Sequence, residues 1–107
     1  MAREFSQRVY ELALSIPEGR VTTYGAIAKA AGGGSMAARS ISSILGKAPN
    51  PRTIPWHRIV YAGGKVWMSQ EYEKVRLKLY KREGIKITAR GYIDDFDELF
   101  YDFSELN

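Results

Sequence analysis

The sequence predicts a mainly α fold, a winged helix-turn-helix domain with a small β hairpin, and three observations carry that prediction. Phe5, Val9, Leu12 and Ile16 recur at steps of four, three and four, the period of a helix with one buried face. Two short helical stretches, "YGAIAKAA" and "MAARSISSIL", are joined through the glycine run Gly32 to Gly34, as a helix-turn-helix requires. Beyond them, "RIVYAGGKVW" sets two β-prone runs around a glycine turn, the pattern of a hairpin or wing.

Each element has a local reason. The first helix ends at Pro17 and Gly19. In "RVTTY", Arg20 to Tyr24, the β-branched residues favour an extended segment, and Thr22 or Thr23 caps the following helix, which stops at the glycine run. Ser35 offers the next cap; Ile41, Ile44 and Leu45 turn inward and Gly46 ends that helix. "APNPRTIP" is a loop with three prolines. The last helix is expected from about Gln70 to Arg82, with Tyr72, Val75 and Leu79 on one face and Gly84 as its stop.

Composition narrows the chemistry. A chain of 107 residues with 45% hydrophobic content suits one compact core. The lack of cysteine removes disulfides, thiolate metal sites and thiol nucleophiles, and a single histidine, His57, is too few for a typical zinc site. No metal or cofactor is expected. No apolar run approaches the roughly 20 residues that cross a bilayer, and the charges in "MAREFSQRVYELALSIP" interrupt any signal-peptide core. The expected location is cytoplasmic, with nucleoid association in a bacterium or the nucleus in a eukaryote, and no membrane partner is expected.

Charge divides the chain in two. Residues 1–91 hold all sixteen Lys and Arg but six of the twelve acids, a balance of +10, whereas residues 92–107 hold the other six acids and no base, −6. We therefore expect a cationic domain over 1–91, suited to a polyanion such as nucleic acid, and an acidic aromatic C-terminal extension over 92–107. The extension's carboxylates cover part of the basic body, mimic DNA charge, contact another protein, or simply face solvent.

The segments "IPEGRVTTYGAIA", "AARSI", "IPWHRIV" and "REG" occur in that order between Phe5 and Gly84. Together they resemble the C-terminal domain of the O6-alkylguanine-DNA alkyltransferases, whose active-site motif is Pro-Cys-His-Arg followed by aliphatic residues. Trp56 stands where the cysteine belongs, the mark of the alkyltransferase-like proteins, a non-enzymatic branch of that family. In the parent enzymes a cysteine thiolate attacks the alkyl carbon on guanine O6, helped by a histidine linked to a glutamate. Indole has no available lone pair on nitrogen and only donates, so the resemblance implies no catalytic residue here, although His57 and Glu83 match the relay.

The resemblance also implies roles. Tyr24 matches the tyrosine that crowds the target phosphate and drives nucleotide rotation, and Arg39 the arginine that fills the vacated space in the duplex. Ala37 and Ala38 are small enough for close approach to DNA. Trp56, Tyr24, Pro55 and Ser69 are the expected lesion pocket, Lys47 an expected phosphate contact along with Arg52 and Lys65, and His57, Arg58 and Glu83 the supporting layer. Ala48 replaces a bracing asparagine, a task Asn50 is positioned in sequence to assume, and "MSQ", Met68 to Gln70, replaces the residues over the pocket. The implied partner is double-stranded DNA containing O6-alkylguanine, bound by a monomer that signals to nucleotide excision repair damage-recognition proteins. Competing readings are non-specific DNA binding, a sequence-specific transcription factor, and an enzyme in which His57 and Glu83 activate water.

Overall fold

The computed structural model describes residues 2–33, 35–67, 69 and 71–104. Helix α1 spans Ala2–Leu14. Val9, Leu12 and, just past the helix, Ile16 are buried, with Phe5 against the same core, so the period in the sequence marks the packed face. Strand β1, Thr22–Thr23, pairs in parallel with β2, Ile59–Val60, Thr22 opposite Ile59 and Thr23 opposite Val60. Alternation across this sheet sends Ile59 into one apolar cluster and Val60 into a second.

Helix α2, Tyr24–Ala30, begins at Thr23, whose extended backbone lets Oγ1 accept the Ala26 N–H at 3.0 Å. Of the two candidate threonines, Thr23 is therefore the cap. Thr22 is buried and its hydroxyl donates to the Tyr101 carbonyl at 2.7 Å. The stretch expected as one helix over 36–45 starts as a 3-10 turn, Ser35–Ser40, and becomes α3 at Ile41–Gly46. Short 3-10 turns are common at helix starts. Gly34 and the Ser35 side chain expected as a cap lie outside the described residues. Ile41 and Leu45 are fully buried and Ile44 packs at the edge, which closes the first cluster over α1 and α2.

The small β element is present, with pairing that differs from the expected hairpin. Tyr61 and Lys65 close a turn, the Tyr61 N–H donating to the Lys65 carbonyl at 2.9 Å, but the two flanking runs then find other partners. Ile59 and Val60 join β1, while Lys65 pairs antiparallel with Tyr92 and Ile87 with Ile93. The wing thus draws on residues beyond 85. Gly64, at φ +93°, sits against Phe96, and a Cβ there would meet that ring at 2.8 Å.

Helix α4 covers Glu73–Arg82 and stops at Gly84, whose φ is +74°. The face expected inward is a correction: Tyr72 and Val75 are exposed, at 48% and 58%, and Leu79 is half-buried, while Tyr80 is 1% exposed. Tyr80 wins the interior because its hydroxyl donates to the His57 carbonyl at 2.5 Å, a partner the apolar residues do not need.

The acidic extension is woven into the fold. The Val21 N–H donates to Leu99 at 3.0 Å and the Tyr101 N–H to Val21 at 2.7 Å, so the chain leaving Leu99 through Phe100 and Tyr101 runs parallel beside Val21 as a third extended segment. Arg20 adds bonds from Nε to the Leu99 carbonyl and from Nη2 to that of Phe100, at 3.0 and 2.8 Å. Helix α5, Phe96–Leu99, bridges these contacts. Ile93, Tyr101 and Phe103 are buried, whereas Asp94, Asp95, Asp97, Glu98 and Asp102 face outward. A purely solvated extension is excluded by this packing. Among the described residues, no helix is long and apolar enough to cross a membrane.

Candidate nucleic-acid interface

The register of the sheet builds the site. Because Thr23 lies opposite Val60, the next residue on each strand, Tyr24 and Tyr61, emerge side by side, with ring centroids 5.7 Å apart and planes tilted by 38°. They line one groove, of about 410 Å³, together with Thr23, Gly25, Ala38, Arg39, Ser42 and Ala62. The helix-turn-helix supplies one wall and the start of the wing the other. Burial pushes the Tyr24 phenol up from its usual range, with Tyr61 adding to the effect and the Arg76 charge opposing it. The hydroxyl is therefore a neutral donor at physiological pH.

Arg39, in the last turn of the 3-10 segment, is exposed at the groove. Ala38 shares that wall, while Ala37 packs on the first core, its Cβ so close to Gly33 that a side chain at 33 would meet it at 2.7 Å. Lys47 is exposed at the C-terminus of α3, away from the residues that line the groove. Arg52 and Lys65 are exposed as well, and the Lys65 ammonium lies 5.6 Å from the Tyr92 ring.

Pro55 opens the 3-10 turn Trp56–Arg58. Trp56 is half-buried against the first core, and its indole N–H donates to the Pro51 carbonyl at 3.0 Å. The single indole proton is thereby committed to the loop that carries it. Ser69 is half-buried at the approach to α4, where its carbonyl accepts the Glu73 N–H at 2.9 Å and its hydroxyl accepts that of Tyr72 at 3.4 Å. Met68 and Gln70 lie outside the described residues. Ala48 is buried; Asn50 is exposed, and its carbonyl, not its side chain, accepts from Thr53.

Behind the turn lies a tight ionic cluster. The Glu83 side chain is 4% exposed, and Oε2 meets His57 Nε2 at 2.5 Å and accepts from Arg58 Nη2 at 2.8 Å. Oε1 accepts the Gly19 N–H at 2.9 Å and Arg58 Nε at 3.0 Å, and Arg58 Nη1 donates to the Ile16 carbonyl at 3.0 Å. Burial alone would raise the Glu83 carboxyl, but bonds from Arg58, Gly19 and His57 overcome it and hold the group down at about 2. Burial lowers His57, outweighing the upward pull of Glu83. A neutral imidazole with Nε2–H donating to Glu83 fits this geometry. The cluster ties α4 to the Trp56 turn and to the end of α1. The residue before His57 is the Trp56 indole, whose nitrogen only donates.

The model for the 6-O-methylguanine DNA methyltransferase DNA-binding domain matches residues 4–85. The chain belongs to that family. Within this family it is of the alkyltransferase-like kind. The DNA base-flipping protein of Escherichia coli is 38% identical over 90 residues, covering 84% of this chain and 69% of that one. Alkyltransferase-like protein 1 of Schizosaccharomyces pombe is 34% identical over 90 residues, covering 78% and 79%. A solved structure of S. pombe Atl1 with damaged DNA containing O6-carboxymethylguanine superposes with a TM-score of 0.70 at 26% identity, over 92% of this chain and 94% of that one. Proteins named methylated-DNA–protein-cysteine methyltransferase are also relatives.

The groove contains residues that the sequence does not assign to the site: Thr23, Ser42, Ala62 and above all Tyr61. Tyr61 comes three residues after Arg58 of the Trp-His-Arg motif, yet only the pairing of two distant strands puts it beside Tyr24. Arg76 does not line the groove but acts on it from α4, with its guanidinium 5.1 Å from the Trp67 ring and its charge felt by Tyr24, His57 and Tyr80. Its position one turn before Tyr80 on α4 would have shown this, had Tyr80 been assigned to the interior.

Proposed function

We propose that this protein is a monomeric damage sensor. It binds duplex DNA containing O6-alkylguanine, turns the modified nucleotide out of the stack toward Tyr24, Pro55 and Trp56 without taking the alkyl group, and presents the complex to nucleotide excision repair proteins. The observation that carries this reading is the Trp56 indole, hydrogen-bonded to Pro51 in front of an intact His57–Glu83 pair. The lone pair of the indole nitrogen is delocalised into the ring, so it cannot attack as a thiolate does, whereas the ring can still contact a base. The exposed Arg39 at the groove supports insertion into the duplex, and the small Ala38 beside it supports close approach.

Paired titrations on duplexes with O6-methylguanine and with guanine, at one ionic strength, test the proposal. Tighter binding of the modified duplex is expected, with no methyl mass gained by the protein. Arg39→Ala and Tyr24→Ala should each weaken binding of the modified duplex by about ten- to a hundredfold, the scale of a lost charge-assisted contact of roughly 1.5–3 kcal/mol, and should narrow the preference. Equal binding of the two duplexes by the unaltered protein would sink the reading, and a gain of 14 Da, about one methylene equivalent for methyl replacing hydrogen, would sink its non-enzymatic part.

A further inference from the structure

We infer that Tyr61 is a second base-contacting aromatic of the groove, offering its ring to the nucleobase that leaves the stack. The inference rests on the reading above and adds a residue to that site. Three observations converge on it. The β1–β2 register fixes Tyr61 beside Tyr24, so its place follows from backbone pairing rather than from a mobile side chain. Tyr61 is 45% exposed and is packed into neither apolar cluster, although the adjoining Val60 is buried in the second. It lines the same groove as Arg39, across from the helix-turn-helix, and the volume of about 410 Å³ falls in the range of sites that hold small ligands.

The chemistry suits an unstacked base. A base outside the duplex loses its neighbours' π contacts, and an exposed aromatic replaces them whatever the base, because every base has a π-face. Trp56 alone is poorly placed for all of this, since it is half-buried, packed on the first core and tethered to Pro51. The contact with Tyr24 still leaves Tyr61 open to solvent on the groove side. Division of labour follows: Arg39 enters the duplex, Tyr24 acts at the backbone, and Tyr61 shares contact with the base with Trp56.

Three variants separate a base contact from a brace for Tyr24. Tyr61→Ala and Tyr61→Leu should each lower affinity for an O6-methylguanine duplex by about tenfold, the scale of one lost base–aromatic contact, while Tyr61→Phe stays within about twofold. Thermal melts should stay close to those of the unaltered protein, because the ring is largely outside the core. Rescue by Leu as complete as that by Phe would show that bulk beside Tyr24 suffices and would overturn the inference, as would full affinity in Tyr61→Ala. A second duplex carrying 2-aminopurine opposite a mismatch keeps the outcomes distinct, because its fluorescence rises on unstacking without any alkyl group. If the unaltered protein shows no preference for O6-methylguanine, the sensor reading fails; the inference then stands only if Tyr61→Ala still abolishes the 2-aminopurine rise, and no rise with the unaltered protein overturns it too.

Discussion

Deletion of residues 92–107 is expected to leave a chain that does not fold cooperatively. Ile93, Tyr101 and Phe103 are buried, and each contributes roughly 1.5–3 kcal/mol by leaving water. Their loss comes to about 5–9 kcal/mol, before the partners they uncover are considered, and that is comparable with the whole stability of a small domain, about 5–15 kcal/mol. Hydrogen bonds vanish with them: the Val21 N–H and carbonyl lose Leu99 and Tyr101, and the buried Thr22 hydroxyl loses its acceptor. Circular dichroism melts of the chain ending at residue 91 should show no sharp transition. A cooperative melt within a few degrees of the full chain would refute the structural role assigned to this segment, and Tyr101→Ala, at about 3–5 kcal/mol, provides a graded version.

Glu83→Ala should be the most damaging single substitution in the site, at about 3–5 kcal/mol, because it strands the Arg58 guanidinium and the Gly19 N–H behind the Trp56 turn. The same carboxylate makes stability depend on acid. Its folded value of about 2 lies below an ordinary 4.5, so folding favours the ionised form. That contribution, about 3 kcal/mol for a shift of this size, is fully present above pH 4.5 and is lost as pH falls toward 2. His57 acts in the same sense: held neutral by burial, it resists the proton that the unfolded chain accepts near 6.5, so acidification below that value also favours unfolding. Urea midpoints should fall steadily from pH 7 to 3 in the unaltered protein. In Glu83→Gln they should start lower and fall less steeply; an unchanged slope below pH 4.5 would exclude Glu83 as the source.

Much of this was written plainly in the chain. The face of α1 follows from one period, the Thr23 cap from a hydroxyl before an alanine-rich run, and the family from four ordered segments around the tryptophan at 56. Sites whose logic is local read well. Helix α4 misleads because two stripes compete on it: Tyr72, Val75 and Leu79 have the apolar period, but Tyr80 and Glu83 have polar partners waiting across the interface and Arg76 the Trp67 ring. Hydrophobicity alone favours the wrong stripe. The partners of the wing were hidden for a related reason, since nothing in "RIVYAGGKVW" says that its halves pair with residues near 22 and near 92 instead of with each other. Tyr61 was invisible on the same account, and the apolar residues of the acidic segment were masked by the charges between them.

Val21 lies at the centre of three extended segments gathered from far along the chain, bonded on one side to Leu99 and Tyr101 while its neighbours Thr22 and Thr23 face Ile59 and Val60. Loops this long close late, because their entropy must be overcome before any pairing rewards it. On the ribosome, the nascent helices therefore wait: the three segments can meet only once the stretch around Tyr101 has cleared the exit tunnel, well after the helices near Tyr24 and Ile41 have been made.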